Sequence, residues 1–217
     1  ITIEPAERLR PGPIRIPGDF SSAAFAIAAA AIVPGSSVRI EAVGLNPTRI
    51  GLLGILNRMG ALLEVEEEDA PGDGEPRGAI LIRHGELAAT RVHADEVPVA
   101  IDELPLVALL GCFAQGTTAV SGAGELRHKE SDRIASVVEG LGGVGAEIEG
   151  TDDGFVVAGT GGLRGGALDS RGDHRLAMMG AVAGLASRDG IEVVGMDAAG
   201  VSYPRFAEDL ASLLAAG

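Results

Sequence analysis

The sequence predicts an α/β fold built from repeated βα units. One observation is that three segments share a plan. They are PGDFSSAAFAIAAAAIVPGSSVRIEAVG with LNPTRIGLLGILNRMGALLEVEE, AIDELPLVALLGCFAQGTTAVSGAG with HKESDRIASVVEGLGGVGAEIEG, and SRGDHRLAMMGAVAGLASRDGIEVVGMD with VSYPRFAEDLASLLAAG. A second is that Arg49, Arg133 and Arg205 hold equivalent places near the start of the second helix of each segment. Gly60-Ala61 and Gly145-Ala146 match beyond it. Self-similarity of this kind marks stacked copies of one supersecondary unit. A third is the alternation of apolar runs about three to four helical turns long with short strand-length runs.

The elements follow in order. A strand-like IRI stands at 14–16. The Ser21-Ser22 lead-in and an alanine-rich run predict a helix over about 21–33, and a glycine turn gives way to a strand over about 37–42. An amphipathic helix over about 48–59 and a strand over about 62–67 complete the first repeat. The stretch EDAPGDGEPRG at 68–78 concentrates Pro, Gly and acid and reads as an exposed turn or linker. Strands over about 79–83 and 91–93 lead to Asp102 and an apolar helix over about 103–114. A strand over about 117–121, a helix over about 132–142 opened by Ser131-Asp132, and strands over about 146–149 and 155–158 follow. A polar turn at 159–166 separates the third repeat, with a helix over about 174–187 behind Asp173, a strand over about 191–195 and a last helix over about 204–215.

Bulk composition narrows the function. The net charge of −14 makes a surface that repels nucleic acid and anionic lipid, so neither is expected as a partner. With no Trp and one Tyr, the core must be built from Ala, Val, Leu and Ile. Cys112 is the only cysteine and sits in an apolar run, which reads as a buried thiol and leaves no disulfide to form within the chain. The most apolar stretch, 23–34, is too short to span a bilayer, and residues 1–17 carry charges where a signal peptide is apolar; a cytoplasmic location is expected.

Helix starts draw the eye because their free N–H groups and partial positive charge favour anions. Four polar lead-ins stand at such starts, at Ser21-Ser22, Asp102, Ser131-Asp132 and Asp173-His174. Packed in parallel, they would converge on one cleft, and the run GELRHKESDRI at 124–134 would supply its positive charge to a small, multiply charged anion. Each residue also has a plainer reading. Ser22 and Asp102 would serve as helix caps. Lys129 and Glu130 are neighbours of opposite charge at a helix entry, able to tune each other and move protons, or simply a solvated charge run. Arg175 beside Asp173 and His174 suits forked recognition of a carboxylate or phosphate. Arg133 and Arg175 are expected to converge on one carboxylate, each steered by an acidic neighbour, Asp132 or Asp173. Met178 and Met179 read as core. The four histidines show no metal spacing with Cys112, and no phosphate-binding P-loop or dinucleotide fingerprint is present, so no metal and no organic cofactor are expected.

The motifs PGDFSSAAF, IDELP, GELRHKESDRI, GDHRLAM and VSYPRF, in that order from about residue 14 to the C-terminus, resemble the 3-phosphoshikimate 1-carboxyvinyltransferase (EPSP synthase) family. UDP-N-acetylglucosamine enolpyruvyl transferases share the architecture without the KESDR stretch; such an enzyme, or a non-catalytic anion-binding βα-repeat module, is the alternative. The resemblance implies the enolpyruvyl transferase fold: βαβαββ-like units, helices packed in parallel and mixed sheets outside. It implies the C-terminal half of a two-lobed, monomeric parent whose N-terminal half is the missing partner. Residues 1–70 would be the last unit of the shikimate-phosphate-binding lobe and 71–217 two units of the other. The implied reaction joins the enolpyruvyl group of phosphoenolpyruvate to the 5-hydroxyl of shikimate 3-phosphate, and the half alone would be inactive.

The implied roles fall on named residues. Asp102 holds the attacking hydroxyl with Lys129, and Glu130 carries the proton to and from the methylene carbon. Arg133 and Arg175 clamp phosphoenolpyruvate, and His174 lines the pocket. Ser22, beside Ser21, meets the 3-phosphate, with Phe25 against the ring. Glu125 and Val201 depart from the asparagine and lysine that some members carry at those places.

Overall fold

In a computed structural model, residues 15–68 and 74–215 are described, together with Thr2, Glu4, Pro5 and Arg8. Three helices are apolar around their whole circumference, the signature of helices buried on all sides: α1 (Phe20–Ile32), α4 (Leu104–Phe113) and α6 (His174–Ala186). They pack against one another at the centre of the molecule. Small side chains let them approach closely, with Ala24, Ala28, Leu109, Ala177 and Ala183 all inaccessible to solvent. Of three amphipathic helices, α2 (Gly51–Arg58) and α5 (Arg133–Gly143) bury one stripe each, while α7 (Phe206–Ala215) buries Phe206 at its start. A short helix, α3 (Val97–Ala100), precedes α4.

The sheets lie outside the helices. The first repeat forms β1 (Ser37–Gly44), β2 (Leu62–Glu67) and β3 (Arg77–Arg83) in the order β1-β3-β2, all antiparallel. The second forms β4 (Arg91–Val92), β5 (Thr117–Val120), β6 (Glu147–Thr151) and β7 (Gly154–Ala158) in the order β4-β5-β7-β6, with β4 parallel to β5 and the rest antiparallel. The third has β8 (Gly166–Asp169) parallel to β9 (Ile191–Val194). A parallel step therefore opens every repeat, since Gly18 also bridges Val43 of β1 in parallel. The α/β class and the three-unit plan agree with the sequence.

Two expectations change. The strand at 14–16 falls partly outside the described residues, and Arg15 and Ile16 take no strand; the pairing with β1 comes at Gly18. The division at 70/71 does not separate two bodies. The expected turn at 68–78 lies partly outside the described residues, but strand β3 beyond it is the central strand of the first sheet and pairs antiparallel with β2. Helix α1 packs on α4 and α6, and one continuous apolar core runs through all three repeats.

Candidate active site

The N-terminal ends of the three central helices meet at one face, and their capping residues do unequal jobs. Asp19 caps α1, its carboxylate accepting the backbone N–H and the hydroxyl of Ser22, both at 2.8 Å. Asp173 caps α6 through the N–H of Arg175 at 2.9 Å. It is set in place by a tight turn, Asp173 N–H to Ser170 carbonyl at 2.9 Å, in which Gly172 takes the left-handed φ of 74° that favours glycine. Asp102 lies in a 3₁₀ turn (Ile101–Glu103) and makes no capping bond, so its carboxylate is turned to other partners.

Those partners are four cations from three repeats. Arg133 Nη1 is 3.4 Å and Lys129 Nζ 3.9 Å from Oδ1 of Asp102; Arg175 Nη2 is 3.5 Å and Arg49 Nη2 3.9 Å from Oδ2. Arg175 also donates to the Asp102 carbonyl at 3.3 Å. Arg133 and Arg175 thus both reach the carboxylate of Asp102, the protein's own, where the sequence reading expected a ligand's carboxylate.

Arg133 is the hub. It opens α5, is 1% exposed, and donates from Nε to Asp173 Oδ2 at 2.8 Å and from Nη2 to Glu130. Asp173, itself fully buried, accepts in addition the Ser131 hydroxyl at 3.1 Å. Burial opposes the ionisation of Asp173, yet the Arg133 guanidinium, the Arg175 N–H and the Ser131 hydroxyl together outweigh it and hold the carboxyl below its usual range. Of the five N–H donors of a guanidinium, Arg133 thus directs its bonds to Asp173, Glu130 and Asp102, which fixes the plane of the fork. Asp132 does not steer Arg133 as expected. It caps α5 through Ala135 N–H at 3.0 Å and pairs with Arg127 at 2.7 Å, while Arg127 ties the loop to the carbonyls of Thr151 and Asp152. Asp173, forty residues away, does the steering.

His174 opens α6 beside this group; burial first, then the Arg175 charge, pushes its imidazole below the ordinary histidine value. Glu130 is half exposed and reaches the cluster through Arg133. Ser21 joins by another route: its hydroxyl donates to Glu103 and accepts from Arg49 Nη2 at 3.1 Å. Two expected residues do not join. Ser22 is spent on Asp19 and lines a groove of about 610 Å³ between α1, β1 and α7. Phe25 is a core residue, 2% exposed and edge-to-face with Phe206 at 5.8 Å, because its place on α1 points into the packing with α7. Glu125 and Val201 are both exposed. Glu103 and Arg49 were not singled out as site residues by sequence; the pairing of Asp102 with a second acid ahead of an apolar helix was the available signal for Glu103. Among the described residues no group of three or more His, Cys, Asp or Glu is placed to hold a metal ion, and no helix is long and apolar enough to cross a membrane.

Such an arrangement can offer forked donors to an anion and carboxylates to a hydroxyl or an acidic carbon. Comparison with known proteins identifies the family. A family model described as EPSP synthase (3-phosphoshikimate 1-carboxyvinyltransferase) matches residues 1–210. The 3-phosphoshikimate 1-carboxyvinyltransferase of Lactiplantibacillus plantarum is 48% identical over 215 residues, 98% of this chain and 49% of its own length. That of Shouchella clausii is 45% identical over 213 residues, 98% and 49%. Among solved structures, an EPSP synthase from Acinetobacter baumannii superposes with a TM-score of 0.85 at 41% identity, covering 90% of this chain and 45% of that one. The enolpyruvyl transferase NikO from Streptomyces tendae, at 20% identity and a TM-score of 0.69, shares the fold. The chain spans about half the length of the relatives it matches. The fold, the three-repeat cluster and these likenesses together place the chain in the 3-phosphoshikimate 1-carboxyvinyltransferase family.

Proposed function

We propose that the parent of this chain transfers the enolpyruvyl group of phosphoenolpyruvate to the 5-hydroxyl of shikimate 3-phosphate and releases phosphate, and that this chain is its C-terminal half. The observation that carries the reading is Asp102, left uncapped and ringed by Lys129, Arg49, Arg133 and Arg175. Glu130 gives a proton to the methylene carbon of phosphoenolpyruvate, which makes the neighbouring carbon electrophilic. Asp102, with Lys129, holds the 5-hydroxyl and takes its proton as the oxygen adds. Glu130 then retrieves a proton from the methyl group as phosphate leaves, so one group serves as acid and then as base. Arg175 and Arg133 hold the carboxylate, an orienting and electrostatic role, and His174 lines the pocket. The reaction belongs to aromatic amino acid biosynthesis, and we place it in the cytoplasm.

The three repeats, with their shared helix core, are read as one lobe rather than as parts of two. The cluster sits on an outer face, Arg49 and Glu130 both half exposed, as suits a half-site awaiting a second lobe. Phosphate release by the full-length parent tests the reading. Turnover of about 1 per second or more is expected only with both substrates present. The same rate with UDP-N-acetylglucosamine in place of shikimate 3-phosphate would refute it. Turnover by the isolated 217-residue chain would refute the half-site, since incomplete positioning costs chemistry steeply.

A further inference from the structure

Glu103 has no part in the chemistry just proposed, yet its side chain is among the least accessible charged groups of the site, 2% exposed. A carboxylate taken that far from water needs partners. They arrive from two other repeats. The Ser21 hydroxyl on α1 donates to Oε1, and Arg175 Nη1 on α6 stands 3.6 Å from the same oxygen. Burial holds the Glu103 carboxyl above its usual range, against the smaller opposing pull of Ser21 and the Arg175 charge. Capping does not account for the residue: it sits at the cap position of α4 and its side chain makes no bond to that helix. Its mount is rigid, because it immediately precedes a helix buried from Leu104 to Cys112.

Arg175 therefore has three holds: the carbonyl of Asp102, the carboxylate of Asp102 and Glu103. The second is the one that catalysis disturbs, since Asp102 must turn to the substrate hydroxyl. Glu103 is deeper and has no such duty. We propose that Glu103 is a positioning residue that fixes the Arg175 guanidinium for the carboxylate of phosphoenolpyruvate, an inference that rests on the enolpyruvyl-transfer reading above. An arginine fork recognises a carboxylate by its direction as well as its charge, so losing the buried charge that holds Nη1 weakens one substrate and spares the other.

Steady-state kinetics of the full-length parent test this with Glu103→Gln and Glu103→Asp. Gln keeps the volume and a partner for Ser21 but presents Arg175 with a neutral group. The KM for phosphoenolpyruvate is expected to rise about tenfold, equivalent to about 1.4 kcal/mol. The kcat is expected within about threefold and the KM for shikimate 3-phosphate within about twofold of the parent. Asp keeps the charge and is expected to recover most of the loss. Should Glu103→Gln fail to fold, Glu103→Asp carries the test, with a selective rise of about threefold in the KM for phosphoenolpyruvate. Both KM values moving together, or neither moving, overturns the role of Glu103 alone. An unmodified parent that does not turn over the two substrates overturns the transfer reading, and this inference with it.

Discussion

Glu130 and Asp173 show how two carboxylates on one arginine can differ in kind. Glu130 is half exposed and touches only the outer nitrogen of Arg133, as the proposed proton exchange with a substrate requires. Changing it to Gln in the parent keeps the shape and the hydrogen bond but removes the proton. The kcat is expected to fall about 100- to 10,000-fold with KM values little changed, as single-turnover and steady-state rates would record. Asp173 is fully buried and structural. Asp173→Asn would leave the buried Arg133 charge short of its partner, at a cost of about 3–5 kcal/mol read from denaturation midpoints. The sign with pH follows from the lowered carboxyl: its contribution is complete above the unfolded value of about 3.9 and is lost as pH falls through the lower folded value. The Asn variant is expected to lack that acid-side slope. At this scale the sequence reached the charged residues it could see as oddities, Lys129, Glu130, Arg133 and Arg175. It missed how they are steered, because the Arg133–Asp173 contact joins residues forty positions apart. It misplaced Phe25, whose ring is decided by its T-shaped contact with Phe206 on a distant helix.

The long buried helices were legible because they announce themselves twice, by a polar lead-in and by an apolar run, whereas the four-residue α3 was not. Asp132 and Asp173 make the capping bonds that their positions suggested, whereas α1 is capped by Asp19 in place of Ser22 and Asp102 caps nothing. Strand β8, with the sequence GALD behind a glycine-rich stretch, was not, since four residues paired only to β9 carry no alternation to read. The composition of the central helices is itself a packing device. Alanine gives the shortest side chain that still favours a helix, so α1, α4 and α6 can lie close. Ala28 is inaccessible within α1. Ala28→Leu adds three carbons where no room exists and is expected to destabilise the chain by about 1–3 kcal/mol, measured by thermal denaturation, without altering the cluster at the helix starts.

At the scale of the whole molecule the repeats were legible and their grouping was not. The acidic turn at 68–78 has the composition of a linker, but β3 beyond it completes the first sheet, and hairpin loops and linkers share a chemistry. What decides the grouping is the mutual contact of α1, α4 and α6, which no local pattern encodes. That contact has a thermodynamic consequence. In a linear array of repeats each copy touches only its neighbours, so one end can melt while the other stays folded. Here the three copies close on one another as the sides of a triangle, and the Arg133–Asp173 pair pins the second to the third. Removing any copy exposes faces of both others. Heating this chain is therefore expected to give a single all-or-none transition, with calorimetric and van't Hoff enthalpies equal. Two resolved transitions would show that the copies melt independently. With the single transition expected, a sequence that is threefold in its writing behaves as one cooperative unit in its melting.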